Sequence, residues 1–85
     1  MRHEFLFLKD IIESTDAIGS FIADIELSSF AGNDLVRSAV LQKLIVIGEA
    51  AAHLPKDFRE RHTDVEWSDM VAFRNIAVHA YFFVD

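Results

Sequence analysis

The apolar positions along the chain fall into three long runs with helical spacing. From about Glu4 to about Ile25, the residues Leu8, Ile11, Ile12, Thr15, Ile18, Ile22 and Ile25 recur at steps of one, three and four, which places them on one helical stripe. Asp10, Glu13, Asp16 and Asp24 take up much of the remaining surface. The stretch Ser28-Ser29-Phe30-Ala31-Gly32-Asn33 interrupts the period and predicts a connecting turn. Asn33 is suited to cap the helix that follows by accepting from its exposed amides, and Asp34 is favourable in the first turn.

The second run reaches His53 or Leu54, because a residue before proline, here Pro55, is biased away from helical geometry. It is apolar on more than one side, through Val36, Ala39, Val40, Leu44, Ile47 and Ala51, with Leu41, Ile45 and Val46 added. Such a helix belongs at the centre of a fold or at a subunit interface. Residues 55–62 suit a short helix with Pro55 at its first position. An irregular link from His62 to Trp67 then leads to a third long helix, expected to start near Asp69 with Ser68 as its N-cap. Three glycines, one proline and no sustained strand-like alternation complete an all-α reading. The expected architecture is an antiparallel helical bundle of three long helices plus a short one, in a single domain over residues 1–85.

Composition adds to this picture. A chain of 85 residues buries a limited fraction of its surface, yet 52% of its residues are hydrophobic and the mean hydropathy is +0.22. That excess implies surface reserved for association, with a homodimer as the expected form. Without cysteine there is no disulfide, thiolate metal site or cysteine nucleophile. No apolar stretch approaches the roughly 18 residues a membrane span requires, and Lys9 and Asp10 interrupt the start too early for a signal peptide. The expectation is a soluble, cytoplasmic protein. The net charge of −6 argues against a general nucleic-acid binder. The acidity is uneven: residues 1–34 carry Arg2 and Lys9 against seven carboxylates, whereas residues 35–55 carry Arg37 and Lys43 against Glu49 alone. An anion-binding surface is therefore expected beyond residue 34.

Candidate chemistry concentrates in the closing run Arg74-Asn75-Ile76-Ala77-Val78-His79-Ala80-Tyr81. On a helix Arg74 and His79 are separated by about 7.5 Å of rise and about 140° of rotation, a gap that a long arginine can span. Asn75 lies four residues before His79 and shares its face. Tyr81 adds a hydroxyl that can donate, accept or be modified. These residue types suit cleavage of an RNA phosphodiester, in which histidine transfers a proton and arginine binds the phosphate through two nitrogens without a metal. Spacing alone leaves a plainer alternative open: Arg74 pairs with Asp69 or Glu66, His79 is an ordinary partly buried histidine, and Tyr81 packs with Phe82 and Phe83. Glu49 and His53, four apart, have the spacing of metal ligands, but no third ligand is placed to join them, so they read as a charged pair and no metal or cofactor is assigned. Glu49 is better placed to orient Arg74, which accounts for a lone acid in an apolar helix. Trp67 and Phe73 read as core anchors rather than RNA-stacking platforms, and His3, His53 and His62 as surface or helix-end residues.

The closing run resembles the signature of the HEPN superfamily, namely Arg, a polar residue, three more, His, any residue, Tyr. It is most similar to the HepT toxins of HepT/MntA toxin-antitoxin modules. Three further features resemble that family in order: Ile47-Gly48-Glu49-Ala50 in the middle helix, Leu54-Pro55 at its exit and Val65-Glu66-Trp67 before the last motif. The resemblance implies a metal-independent endoribonuclease toxin with Arg74 and His79 catalytic, Asn75 and Tyr81 supporting them, and an RNA substrate. It also implies a nucleotidyltransferase antitoxin that neutralises the toxin and attaches AMP to Tyr81. Similar proteins usually continue through another helix, so a chain ending at Asp85 is expected to lack it. An alternative follows, a non-catalytic helical module that binds the nucleotidyltransferase. A third reading, a structural bundle unrelated to either, makes the ordered matches accidental. Convergence of Arg74 and His79 in an exposed cleft separates the enzyme from the module.

Overall fold

The computed structural model describes the backbone of residues 2–82 and the side chains of residues 4–80. Five helices follow one another: α1 (Arg2–Ile22), α2 (Leu27–Ala31), α3 (Asp34–His53), α4 (Lys56–Arg61) and α5 (Trp67–Phe82). No strand occurs among the described residues, so the all-α expectation holds.

α3 is the centre of the arrangement. α1 packs against one side of it and α5 against another, and α1 and α5 barely meet. This explains why α3 is apolar on more than one side: its Ile47, Gly48, Ala50 and Ala51 are buried, and Leu54 closes the same core just beyond it. α1 runs antiparallel to α3, since Phe7 near its start lies against His53 at the end of α3, with ring centroids 5.3 Å apart. At the other end Ile22 shares an apolar hollow with Val40. The result is an all-α helical bundle centred on α3, with extents of 40 × 34 × 21 Å.

Local signals account for most helix ends. The Asn33 side chain accepts from the Val36 amide at 3.0 Å, as its N-cap character predicts. Leu54 leaves α3 with extended backbone angles before Pro55. Three expectations need correction. Residues 27–31 form the short helix α2 instead of an irregular turn, with the Phe30 amide donating to the Glu26 carbonyl at 2.9 Å. α5 begins at Trp67, and Ser68 lies inside its first turn instead of capping it. The reason is that the Met70 amide already donates to the Glu66 carbonyl, while the Trp67 indole N–H donates to the His62 carbonyl at 2.8 Å.

The buried stripe of α1 is also rotated from the one its isoleucines suggest. Ser14 is buried and Ile11, Ala17, Ile18 and Phe21 are half-buried, while Ile12, Thr15 and Ile22 face outward. A small side chain at the seam lets two helix backbones approach closely, a geometric demand that hydrophobicity alone does not reveal. Phe73, expected in the core, is 41% exposed on the outer side of α5. His3 lies outside the residues whose side chains are described. No described helix is long and apolar enough to cross a membrane.

Candidate active site

The inner face of α5 is formed by Met70, Val71, Arg74, Ala77 and Val78, the residues most withdrawn from water after the first turn among those of the helix whose side chains are described. Arg74 therefore occupies a position that helical periodicity would give to an apolar residue. A guanidinium placed there loses water and needs compensating partners. It finds them across the helix interface. Its Nε–H donates to Oε1 of Glu49 at 2.7 Å, and an Nη2–H donates to the same oxygen. On its own helix an Nη1–H donates to the side-chain oxygen of Asn75 at 2.5 Å. Arg74 is thus tied to Glu49 of α3, not to Asp69 or Glu66.

Gly48 makes this arrangement possible. A Cβ at that position would lie 2.4 Å from Cβ of Arg74 and 2.7 Å from the carbonyl oxygen of Met70, distances that no side-chain atom tolerates. The missing side chain lets α5 settle onto α3 with Arg74 directly over residue 48, next to Glu49. In the sequence Gly48 stands out only as part of the Ile47-Gly48-Glu49-Ala50 motif. Its steric role emerges once α3 and α5 are paired.

Arg74, Asn75, Val78 and His79 line one open depression of about 350 Å³. The pairs 74/78 and 75/79 are each one helical turn apart, which is why four residues of a single helix can frame a shared concavity. Arg74 supplies the inner wall and is 30% exposed at its side chain. His79 supplies the exposed outer edge and makes an interaction of its own within the chain. The arrangement offers a fixed cationic donor and a titratable imidazole to one ligand. The Tyr81 side chain lies outside the described residues.

Glu49 reaches both ways. Besides holding Arg74, its backbone carbonyl lies 2.8 Å from Nδ1 of His53, and its second carboxylate oxygen is 3.8 Å from the same nitrogen. These contacts give Glu49 and His53 the geometry of a helical charged pair. Among the described residues no group of three histidine or carboxylate side chains is placed to hold a metal ion. Trp67 packs its ring against Phe58 with centroids 6.2 Å apart, so it anchors the α4–α5 link.

The sequence matches the family described as "Ribonuclease HepT-like" over residues 11–85. A Methanocaldococcus jannaschii protein named "Putative RNase MJ1380" is 43% identical over 79 residues, covering 93% of this chain and 72% of that protein. "Probable ribonuclease HepT" of Thermococcus cleftensis is 35% identical over 79 residues, with the same coverage of 93% and 72%. "Putative RNase TTE0752" of Caldanaerobacter subterraneus is 30% identical over 79 residues, covering 93% and 70%. No solved structure matches the chain at a significant level.

Proposed function

The chain belongs to the HepT-like ribonuclease family, and from that membership we propose that it is a metal-independent endoribonuclease toxin with Arg74 and His79 as its catalytic residues. One observation carries the reading: Arg74, bonded to Glu49 and Asn75, opens onto the same depression as His79. A guanidinium has five N–H groups, of which the bonds to Glu49 and Asn75 among the described residues use three, and the others are the donors proposed to meet a phosphate.

In the reaction, the 2′-oxygen of a ribose bonds to phosphorus as its proton passes to His79, and the bond to the 5′-oxygen breaks as that oxygen takes up a proton. Arg74 stabilises the charge that builds on the phosphoryl oxygens. Glu49 and Asn75 act as positioning residues, since both accept hydrogen bonds from the guanidinium and fix its orientation. The exposed apolar side chains of α5, Phe73 and Ile76, lie on the same helix as the depression and favour a homodimer that joins two such sites in one cleft.

Under this reading the partner that neutralises the toxin is a nucleotidyltransferase, and Tyr81 is the residue that receives AMP. An anion attached beside Arg74 occupies the phosphate position and blocks RNA. The direct test is incubation of purified protein with single-stranded RNA in EDTA. Cleavage to discrete fragments supports the proposal. Cleavage that appears only when a divalent metal is added contradicts metal independence, and no cleavage under either condition leaves a non-catalytic module that binds the nucleotidyltransferase.

A further inference from the structure

α1 and α3 border a second groove of about 360 Å³, lined by Phe7, Asp10, Ile45, Glu49 and His53. Its size falls at the lower end of the range for small-molecule sites. The rings of Phe7 and His53 lie together at the groove, inclined by 32° with centroids 5.3 Å apart. Asp10 is exposed beside them, one turn along α1 from Phe7. The mechanism described above makes no use of Phe7, Asp10 or His53.

We propose that this groove is a nucleobase subsite that seats a guanine next to the scissile phosphate, with the base stacked on the Phe7–His53 rings and its edge bonded to the carboxylate of Asp10. The inference rests on the ribonuclease reading and specifies which RNA that site prefers. Three features point to this occupant. Unstacked RNA bases are recognised by stacking on aromatic or histidine rings and by hydrogen bonds to their edges, and the groove offers both. An ionised carboxylate only accepts hydrogen bonds, so it repels phosphate and selects a base with donors. Guanine presents N1–H and N2–H side by side, matching the two oxygens of a carboxylate, whereas adenine, cytosine and uracil do not offer that pair. Finally, Glu49 borders the groove while its carboxylate holds Arg74, so one side chain touches both the groove and the guanidinium.

The experiment reads binding separately from cutting. Short uridine-rich RNAs carrying one central guanosine, inosine, adenosine or cytidine are titrated into His79→Ala protein and followed by fluorescence anisotropy. In parallel, GMP, IMP, AMP and CMP are titrated into the unaltered protein and followed through the NMR signals of the phenylalanine rings. The guanosine RNA is expected to bind about tenfold tighter than the others, the discrimination that a bidentate pair supplies. Inosine, which lacks the 2-amino group, should lose most of that advantage. Asp10→Asn should abolish the preference, and Phe7→Leu, which keeps an apolar side chain but removes the ring, should weaken every base by about tenfold. Equal binding of all four RNAs by protein that still cuts RNA overturns the subsite and leaves the catalytic reading intact. Selective GMP binding by protein that cuts no RNA overturns the catalytic reading alone. If Phe7→Leu converts a dimer to monomers without changing base preference, the groove is a subunit contact and the proposal is wrong.

Discussion

Glu49 of α3 and Arg74 of α5 stand 25 residues apart in the chain and are joined by two hydrogen bonds to a single carboxylate oxygen, Oε1. The Glu49 side chain is 47% exposed, so an ion pair of this kind contributes at most about 1 kcal/mol to stability. Its effect is orientation. Glu49→Gln, which keeps an acceptor oxygen but loses the charge, should leave the unfolding free energy within about 1 kcal/mol of the parent. It should also lower kcat by on the order of tenfold or more, because the charge-stabilising donor is less firmly aimed. Urea unfolding and single-turnover cleavage measured on the same preparation check both parts, and equal losses in the two would make Glu49 a structural residue only.

Gly48 gives the complementary steric test. In a helix Gly→Ala normally stabilises by about 1 kcal/mol, but here the added Cβ meets Arg74 and the Met70 carbonyl. Overpacking of this kind costs about 1 to 3 kcal/mol. Gly48→Ala should therefore be less stable than the parent, with cleavage reduced further than the folded fraction accounts for. A higher unfolding midpoint in urea would show that α3 and α5 do not pack as closely as described.

These two residues also show what the sequence makes legible. Helical spacing identifies the three long helices, and the Asn33 cap and the Leu54-Pro55 exit locate the ends of α3 because those signals are local. The nearness of Glu49 to Arg74 is foreshadowed by a lone acid in an apolar helix, which needs a cationic partner. Other features depend on how helices meet. Ser14 is buried because the seam with α3 requires a small residue there, while Ile12 turns outward despite its hydrophobicity. Asn75 accepts from its immediate neighbour Arg74, a contact that spacing rules for helices do not anticipate. The start of α5 depends on the Trp67 indole reaching the His62 carbonyl, which overrides the capping preference of Ser68.

The apolar surface yields a prediction about assembly. Phe5, Ile12, Leu27, Leu35 and Ile76 are all more than half exposed, and among the described residues none of the larger apolar side chains is completely enclosed. A chain with so small a core gains most by burying the same patch on two copies. Sedimentation at micromolar concentration should show a dimer, and Ile76→Glu should shift it toward monomer if the α5 face is the contact. A compact, stable monomer of the parent protein rules this out.

Regulation through Tyr81 can be examined by mass alone. Incubation with the cognate nucleotidyltransferase and ATP should add AMP to the chain and suppress cleavage. An adduct of unchanged yield in Tyr81→Phe would place the modification elsewhere.

In the proposed reaction Arg74 and His79 act on one phosphate. Because imidazole and guanidinium do different work in one transition state, neither substitutes for the other. Single-turnover cleavage of one RNA in EDTA by His79→Ala, Arg74→Ala and the double variant, with folding verified by circular dichroism, is the most direct measurement. Losses of about 10²- to 10⁴-fold are expected for His79→Ala and of about 10²- to 10³-fold for Arg74→Ala. The double variant should be scarcely slower than the worse single one. Cleavage by His79→Ala at the parental rate, or losses that multiply in the double variant, would contradict it.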